Sequence, residues 1–146
     1  MKQPKHPYTV HMRLSPLWKL WLLLFPKADL NNMYLAFGRR IYIPRGKELP
    51  MDMQVHELIH LRQHGFSYRK AILWWVRYYF DKKFRYSQEL EAYRAQYEWY
   101  CNTQQVTYKD KFEYRLAIAT ILSSEMYGKL ATKTEAFEEI GKKERQ

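Results

Sequence analysis

Apolar positions recur along this chain with a period near two in one short region and near 3.6 in most of the rest. Around Gly38, residues 33–37 and 40–43 read as two short strands of a hairpin. After the turn signal Pro44-Arg45-Gly46, the apolar residues Met51, Val55, Leu58, Ile59 and Leu61 fall on one helical face, with Gln54, Arg62 and Gln63 off it. That spacing predicts a helix over about residues 51–64. Pro50 suits its first turn, Asp52 the positive end of its dipole and Gly65 its C-terminal stop. A further helix is predicted over residues 68–80, broken at Asp81-Lys82-Lys83. The next starts at Ser87 as N-cap and runs to about Asn102. Asp110-Lys111-Phe112-Glu113 resembles a capping box opening a helix to about Ser123, and Thr132 with Glu135 repeats the signal before a short last helix. Residues 16–25 read as a short helix, residues 1–14 as loosely ordered or extended, and residues 141–146 as a fraying tail. The fold class expected is α+β: one domain over residues 1–146, mostly helical, with a small hairpin ahead of the helix at 51.

Composition narrows the class. With 146 residues, 47% of them apolar and 17% aromatic, the chain suits one folded core and not a disordered segment. Cys101 is the single cysteine, so no intramolecular disulfide is expected and a reducing compartment is allowed. From the opening Met1-Lys2-Gln3-Pro4-Lys5-His6-Pro7 no secretory leader is expected, and a cytoplasmic location is expected. Leu17-Trp18-Lys19-Leu20-Trp21-Leu22-Leu23-Leu24-Phe25 stops at Pro26, too short to cross a bilayer, and reads as a buried or dimer-forming helix in preference to an interfacial membrane anchor. No transmembrane segment is expected, and homo-oligomerisation stays open.

The chemistry concentrates in His56-Glu57-Leu58-Ile59-His60. Residues four apart on a helix lie about 40° apart around its axis, so both imidazoles can reach one tetrahedral zinc ion. Glu57 stands where it can take a proton from a zinc-bound water. A third ligand should come from another element. The segment from Ser87 to Gln96 carries Glu91, 31 residues after His60, which leaves room for an intervening helix and a return. Two packed helices would then present His, His and Glu, with the fourth position left for water. Both histidines must be neutral to bind metal, so loss of zinc and of activity is expected below about pH 6.

These pieces resemble a compact gluzincin-type metallopeptidase domain of the small kind found in bacteria and phages. The matching residues are His56-Glu57-Leu58-Ile59-His60 with Gln63 behind it, Glu89-Leu90-Glu91-Ala92 downstream, and Gly38-Arg39-Arg40-Ile41-Tyr42-Ile43-Pro44 ahead. The resemblance covers about residues 34–100. It implies a minimal zincin-like fold, Zn2+ as cofactor, a peptide or protein substrate, and a bacterial or phage-infected cytoplasm. In that family the Glu directly before Ala is the zinc ligand, which selects Glu91 over Glu89. The chain departs from the metzincin pattern, having no third histidine at the short distance, and lacks the Asn-Glu pair of larger thermolysin-like enzymes. An extended substrate is expected to pair with the edge of the strand at 40–43, as in zincins generally.

Around that core, Gln63 either orients a ligand or is merely exposed, and Glu89 and Arg94 are candidates to order the Glu91 helix or a neighbouring histidine, with a solvated ion pair as the favoured account of those two. Tyr93 and Tyr127 are candidates for stabilising an oxyanion. His64, four residues past His60, is an alternative ligand, while His6 and His11 read as incidental. The net charge of +10, from 25 Lys and Arg against 15 Asp and Glu, opens a different class. Arg39-Arg40, Arg45-Lys47, Arg69-Lys70 and Lys82-Lys83-Arg85 alternate with tyrosine and tryptophan, a composition that can bind nucleic acid. A solvated basic surface is the favoured account of it, and the apolar run Trp74–Phe80 reads as core or interface. Three function classes result: a zinc metallopeptidase first, then a catalytically silent zincin-fold structural or interaction protein, then a basic nucleic-acid-binding module.

Overall fold

In a computed structural model of the chain, the described residues are 8–12, 19, 22–23, 33–44 and 46–142. Their elements run β1 (Thr9–Met12), β2 (Leu35–Phe37), β3 (Arg40–Ile43), α1 (Met51–Gln63), α2 (Tyr68–Phe80), α3 (Lys82–Thr103), α4 (Tyr108–Leu122), a 3-10 turn (Glu125–Tyr127) and α5 (Lys133–Gly141). The architecture is α+β and mostly helical, with the small sheet ahead of the helices. Contacts divide the chain into two compact units, Met1–Val76 and Arg77–Gln146, with the boundary inside α2.

The first unit is built on the hairpin. β2 and β3 pair antiparallel, Leu35 opposite Tyr42 and Phe37 opposite Arg40. Gly38 turns the corner at φ 66°, where a Cβ would collide with the ring of Tyr68. The expected hairpin gains a third strand, because β1 pairs parallel to β3 with Val10 opposite Ile41. The strand order is therefore β1-β3-β2. This corrects the expectation that β3 offers an edge to an extended peptide: both of its hydrogen-bonding edges are taken. Residues 9–12 thus belong to the sheet, while 1–7 and 13–14 lie outside the described residues. Of the expected helix at 16–25, Lys19, Leu22 and Leu23 are helical and the remainder lies outside the described residues, as do 143–146 of the tail.

Ala36, Ile41, Ile43 and Leu61 form this unit's core, with Tyr34, Leu49, Leu58 and Phe66 packed against it. α1 ends as Gly65 requires. At φ 64° its N–H reaches Arg62 O at 2.8 Å, and the Phe66 N–H reaches Leu61 O at 2.8 Å, a Schellman pair. The buried face of α1 meets the expected apolar stripe only at its edge, where Leu61 is in the core and Leu58 packs against it. Met51 is exposed and Val55, Leu58 and Ile59 are half-buried, whereas His56, Glu57, His60 and Leu61 are buried.

The second unit packs α3, α4, the 3-10 turn and α5 around Leu90, Tyr93, Ile118, Ala119, Leu122, Tyr127, Ala136 and Ile140. Its helices are capped by side chains. Asp81 caps α3 by accepting from Phe84 N at 2.9 Å. The helix therefore opens six residues before the expected Ser87, whose hydroxyl instead donates to Phe84 O at 2.7 Å within the helix. Asp81 was expected only as a breaker; it ends α2 and starts α3. Likewise α4 opens at Thr107, with Asp110 as the returning acid of the capping box and not its first member. Thr132 and Glu135 form the box expected of them. Among the described residues no helix is long and apolar enough to cross a membrane.

Candidate metal centre

Burying a polar group costs free energy unless it is compensated, so a helix that buries its polar face needs a reason. On α1, His56, Glu57 and His60 are each 4–5% exposed. The rings of His56 and His60 meet edge to face with centroids 4.8 Å apart, and their Nε2 atoms are 3.1 Å apart. Two nitrogens bound at about 2.0–2.1 Å to a tetrahedral ion stand about 3.3–3.4 Å apart, close to this spacing.

Gln63 decides how His60 presents itself. Its Oε1 lies 2.8 Å from His60 Nδ1, and a carbonyl oxygen only accepts. With the amide oriented this way, Nδ1 carries the hydrogen and Nε2 turns a lone pair toward His56. If His56 is protonated on Nε2, the 3.1 Å gap holds an N–H···N hydrogen bond; if on Nδ1, two lone pairs converge on a cation. The expected orienting role of Gln63 thus has a contact behind it. The Trp74 ring lies 5.5 Å from the His60 ring and 5.9 Å from the His64 ring.

The carboxylate that joins this pair is Glu89. One donor atom each from His56, His60 and Glu89 lies within 4.8 Å of the others, and all three residues are buried. Among the described residues this is the one such group of three or more His, Cys, Asp or Glu side chains. Two imidazoles and a carboxylate form the donor set of an open zinc site and suit other first-row divalent ions too. The group can hold a metal ion. Glu91, the residue expected, is exposed and outside it. The two carboxylates are two positions apart, about 200° around a helix, so only one of them can share the inward face. On α3 that face runs through Arg85, Glu89, Ala92, Tyr93 and Gln96.

Glu89 sits among buried tyrosines. Tyr78 donates its hydroxyl to Glu89 Oε1 at 2.6 Å, the short separation of a charge-assisted bond. Burial, reinforced by the neighbouring Glu89 charge, holds the Tyr78 hydroxyl well above its ordinary pKa, so it remains a donor. Burial and then Glu89 do the same to Tyr127. Tyr93 and Tyr127 thus stand in the core of the second unit, close to the carboxylate. Arg94 is engaged elsewhere, donating from Nε to Glu139 O at 2.7 Å on α5. Arg85, counted above among the basic surface residues, is buried, and its guanidinium donates to Tyr78 O at 3.2 Å and to Tyr79 O at 3.4 Å.

His64 is not in the group. It is buried, and neither ring nitrogen has a hydrogen bond among the described residues. Burial first, and the nearby His60 second, push it down to about 4. His11 lies on β1 with its ring 5.8 Å from that of Tyr42, and His6 is outside the described residues. Tyr78 had no signal in the sequence, since nothing local ties it to a carboxylate 11 residues on. Comparison with protein-family models, with curated proteins and with solved structures finds no match to this chain.

Proposed function

We propose that the chain is a zinc-dependent hydrolase of the gluzincin type, cleaving peptide bonds with Glu57 as general base and His56, His60 and Glu89 as metal ligands. The observation that carries this reading is the gathering of two imidazoles and a carboxylate, all buried, within 4.8 Å of one another. Glu57 follows the first of those histidines and is buried on the same helical face. When bound, zinc supplies Lewis acidity and lowers the pKa of a coordinated water toward neutrality. The chain's residues do the rest. His60 is held in one tautomer by Gln63, and Glu89 is held by the Tyr78 hydroxyl. Glu57 accepts the proton of the attacking water and returns it to the leaving amine. Burial strengthens each of these electrostatic contacts by excluding solvent.

A second reading, metal held for structure without turnover, is favoured by that same burial. Ligands only 4–5% exposed leave a peptide little approach. One experiment separates the two. Metal content is measured in the wild type beside His60→Ala, Glu89→Ala, Glu91→Ala and Glu57→Gln, each also assayed on a mixed peptide library. One zinc per chain is expected in the wild type and in Glu91→Ala, with loss in His60→Ala and Glu89→Ala. Glu57→Gln should keep the metal and lose hydrolysis. A folded wild type that takes up no zinc on reconstitution overturns both readings. Zinc binding with no hydrolysis of any peptide leaves the structural one.

A further inference from the structure

α2 has the sequence YRKAILWWVRYYF and contains no acidic residue. Its apolar residues divide into two faces. Ala71, Trp74, Trp75, Tyr78 and Tyr79 are buried. Ile72, Leu73, Val76 and Phe80 are 54%, 72%, 49% and 81% exposed. At 100° per residue these four project within an arc of about 100°, a continuous aliphatic and aromatic ridge on one helix. Scattered exposed apolar residues are ordinary, but four aligned on one helix mark an interaction surface.

The charges beside the ridge say what covers it. On α2 the charged side chains are Arg69, Lys70 and Arg77, all exposed, and the acid that follows the helix, Asp81, is paired with Arg77 at 3.5 Å. Arg69 projects within the arc of the ridge, and Arg77 and Lys70 border it on one side. A second copy of the chain would bring these cations against themselves across a two-fold axis, which is unfavourable. Nucleic acid would satisfy the charges but gain little from Ile72, Leu73 and Val76, since bases stack on planar rings. An anionic bilayer surface satisfies both parts: the headgroups meet the cations and the acyl boundary takes the ridge.

The geometry points to α2 as an interfacial helix that docks this protein, without crossing, on membranes rich in anionic lipid. The ridge is independent of the metal ligands, so this inference stands or falls apart from the hydrolase reading.

The test is co-sedimentation of the full chain with phosphatidylcholine vesicles, with and without about one third phosphatidylserine. Binding to the anionic vesicles is expected, weakening about tenfold between low and high salt. Leu73→Ser with Phe80→Ser should lower partition about a hundredfold, and Arg69→Ala with Lys70→Ala about tenfold, with thermal melts unchanged because all four side chains are exposed. No vesicle binding by the wild type overturns the inference. So does binding that survives Leu73→Ser with Phe80→Ser. A dimer, or a nucleic-acid complex, that those two substitutions abolish while vesicles go unbound assigns the ridge to that partner instead.

Discussion

Replacing Tyr78 by phenylalanine deletes one oxygen from the second unit and leaves the ring that packs there. The hydroxyl is the donor in a 2.6 Å bond to Glu89 Oε1, and both residues are buried. A hydrogen bond to a charged acceptor contributes about 1.5–3 kcal/mol, and its loss leaves a buried carboxylate less well compensated. The metal-free protein should therefore be destabilised by about that amount, lowering its melting temperature by roughly 4–10 °C. Metal affinity should also fall, because a ligand freed to rotate must be ordered on binding. Removing such an orienting group typically weakens binding 10- to 100-fold, or about 1.4–2.7 kcal/mol. Zinc affinity is measured by competition with a chromophoric chelator at neutral pH, and stability by urea unfolding after chelator treatment. In a Glu89→Gln background the same substitution should cost less, since the charged acceptor is gone. A Tyr78→Phe protein that loses stability yet binds zinc within about twofold of wild type refutes the orienting role. It would leave Tyr78 as a core residue only.

Three further outcomes are expected. His64 is held down to about 4 in the folded chain against an ordinary 6.5. The unfolded chain therefore binds the extra proton between those values, and stability present above pH 6.5 is lost as the pH falls toward 4. The loss should be on the order of 2 kcal/mol in chelator-treated protein, and His64→Phe should flatten it; identical pH slopes in both proteins would contradict this. Gly38→Ala should cost about 1–2 kcal/mol for a left-handed residue, plus whatever displacing the Tyr68 ring requires, and a melting temperature equal to wild type would refute that. Gln63→Ala should leave the fold intact and weaken zinc binding about tenfold, as the His60 tautomer is no longer fixed; unchanged affinity would show the contact to be incidental.

The local elements were legible wherever a short-range pattern produces them. Gly38 marked the hairpin, Gly65 the end of α1, and Thr132 with Glu135 the start of α5, because turn and cap geometry is satisfied within a few residues. Cap positions drifted where several polar residues compete. Asp81 and Ser87 can each accept from a backbone N–H, and the earlier one took the role because α3 begins directly after α2 ends. Residues 9–12 read as loosely ordered or extended, and their pairing with β3 was not legible, since a parallel pair joins segments about thirty residues apart with no local sign.

The site divides in the same way. His56, Glu57, His60 and the contact from Gln63 lie within two turns of one helix, so their spacing in the sequence places them on a shared face. That this face is the buried one was not deducible, because it shares only Leu61 with the expected apolar stripe of α1. Tertiary packing shifted the buried side, covering His56, Glu57 and His60 beside Leu61 while Met51 stays exposed. Between Glu89 and Glu91 the sequence offers two carboxylates of equal chemistry, and which one turns inward depends on the rotation of α3 about its axis. That rotation follows from the packing of Leu90, Tyr93 and their neighbours in the core and from the Tyr78 hydroxyl, none of which a motif encodes. Two histidines and a glutamate could be placed together from five residues, since one helical turn fixes their relation. The carboxylate that joins the two histidines and the buried setting belong to the fold, because they depend on residues far apart in the chain.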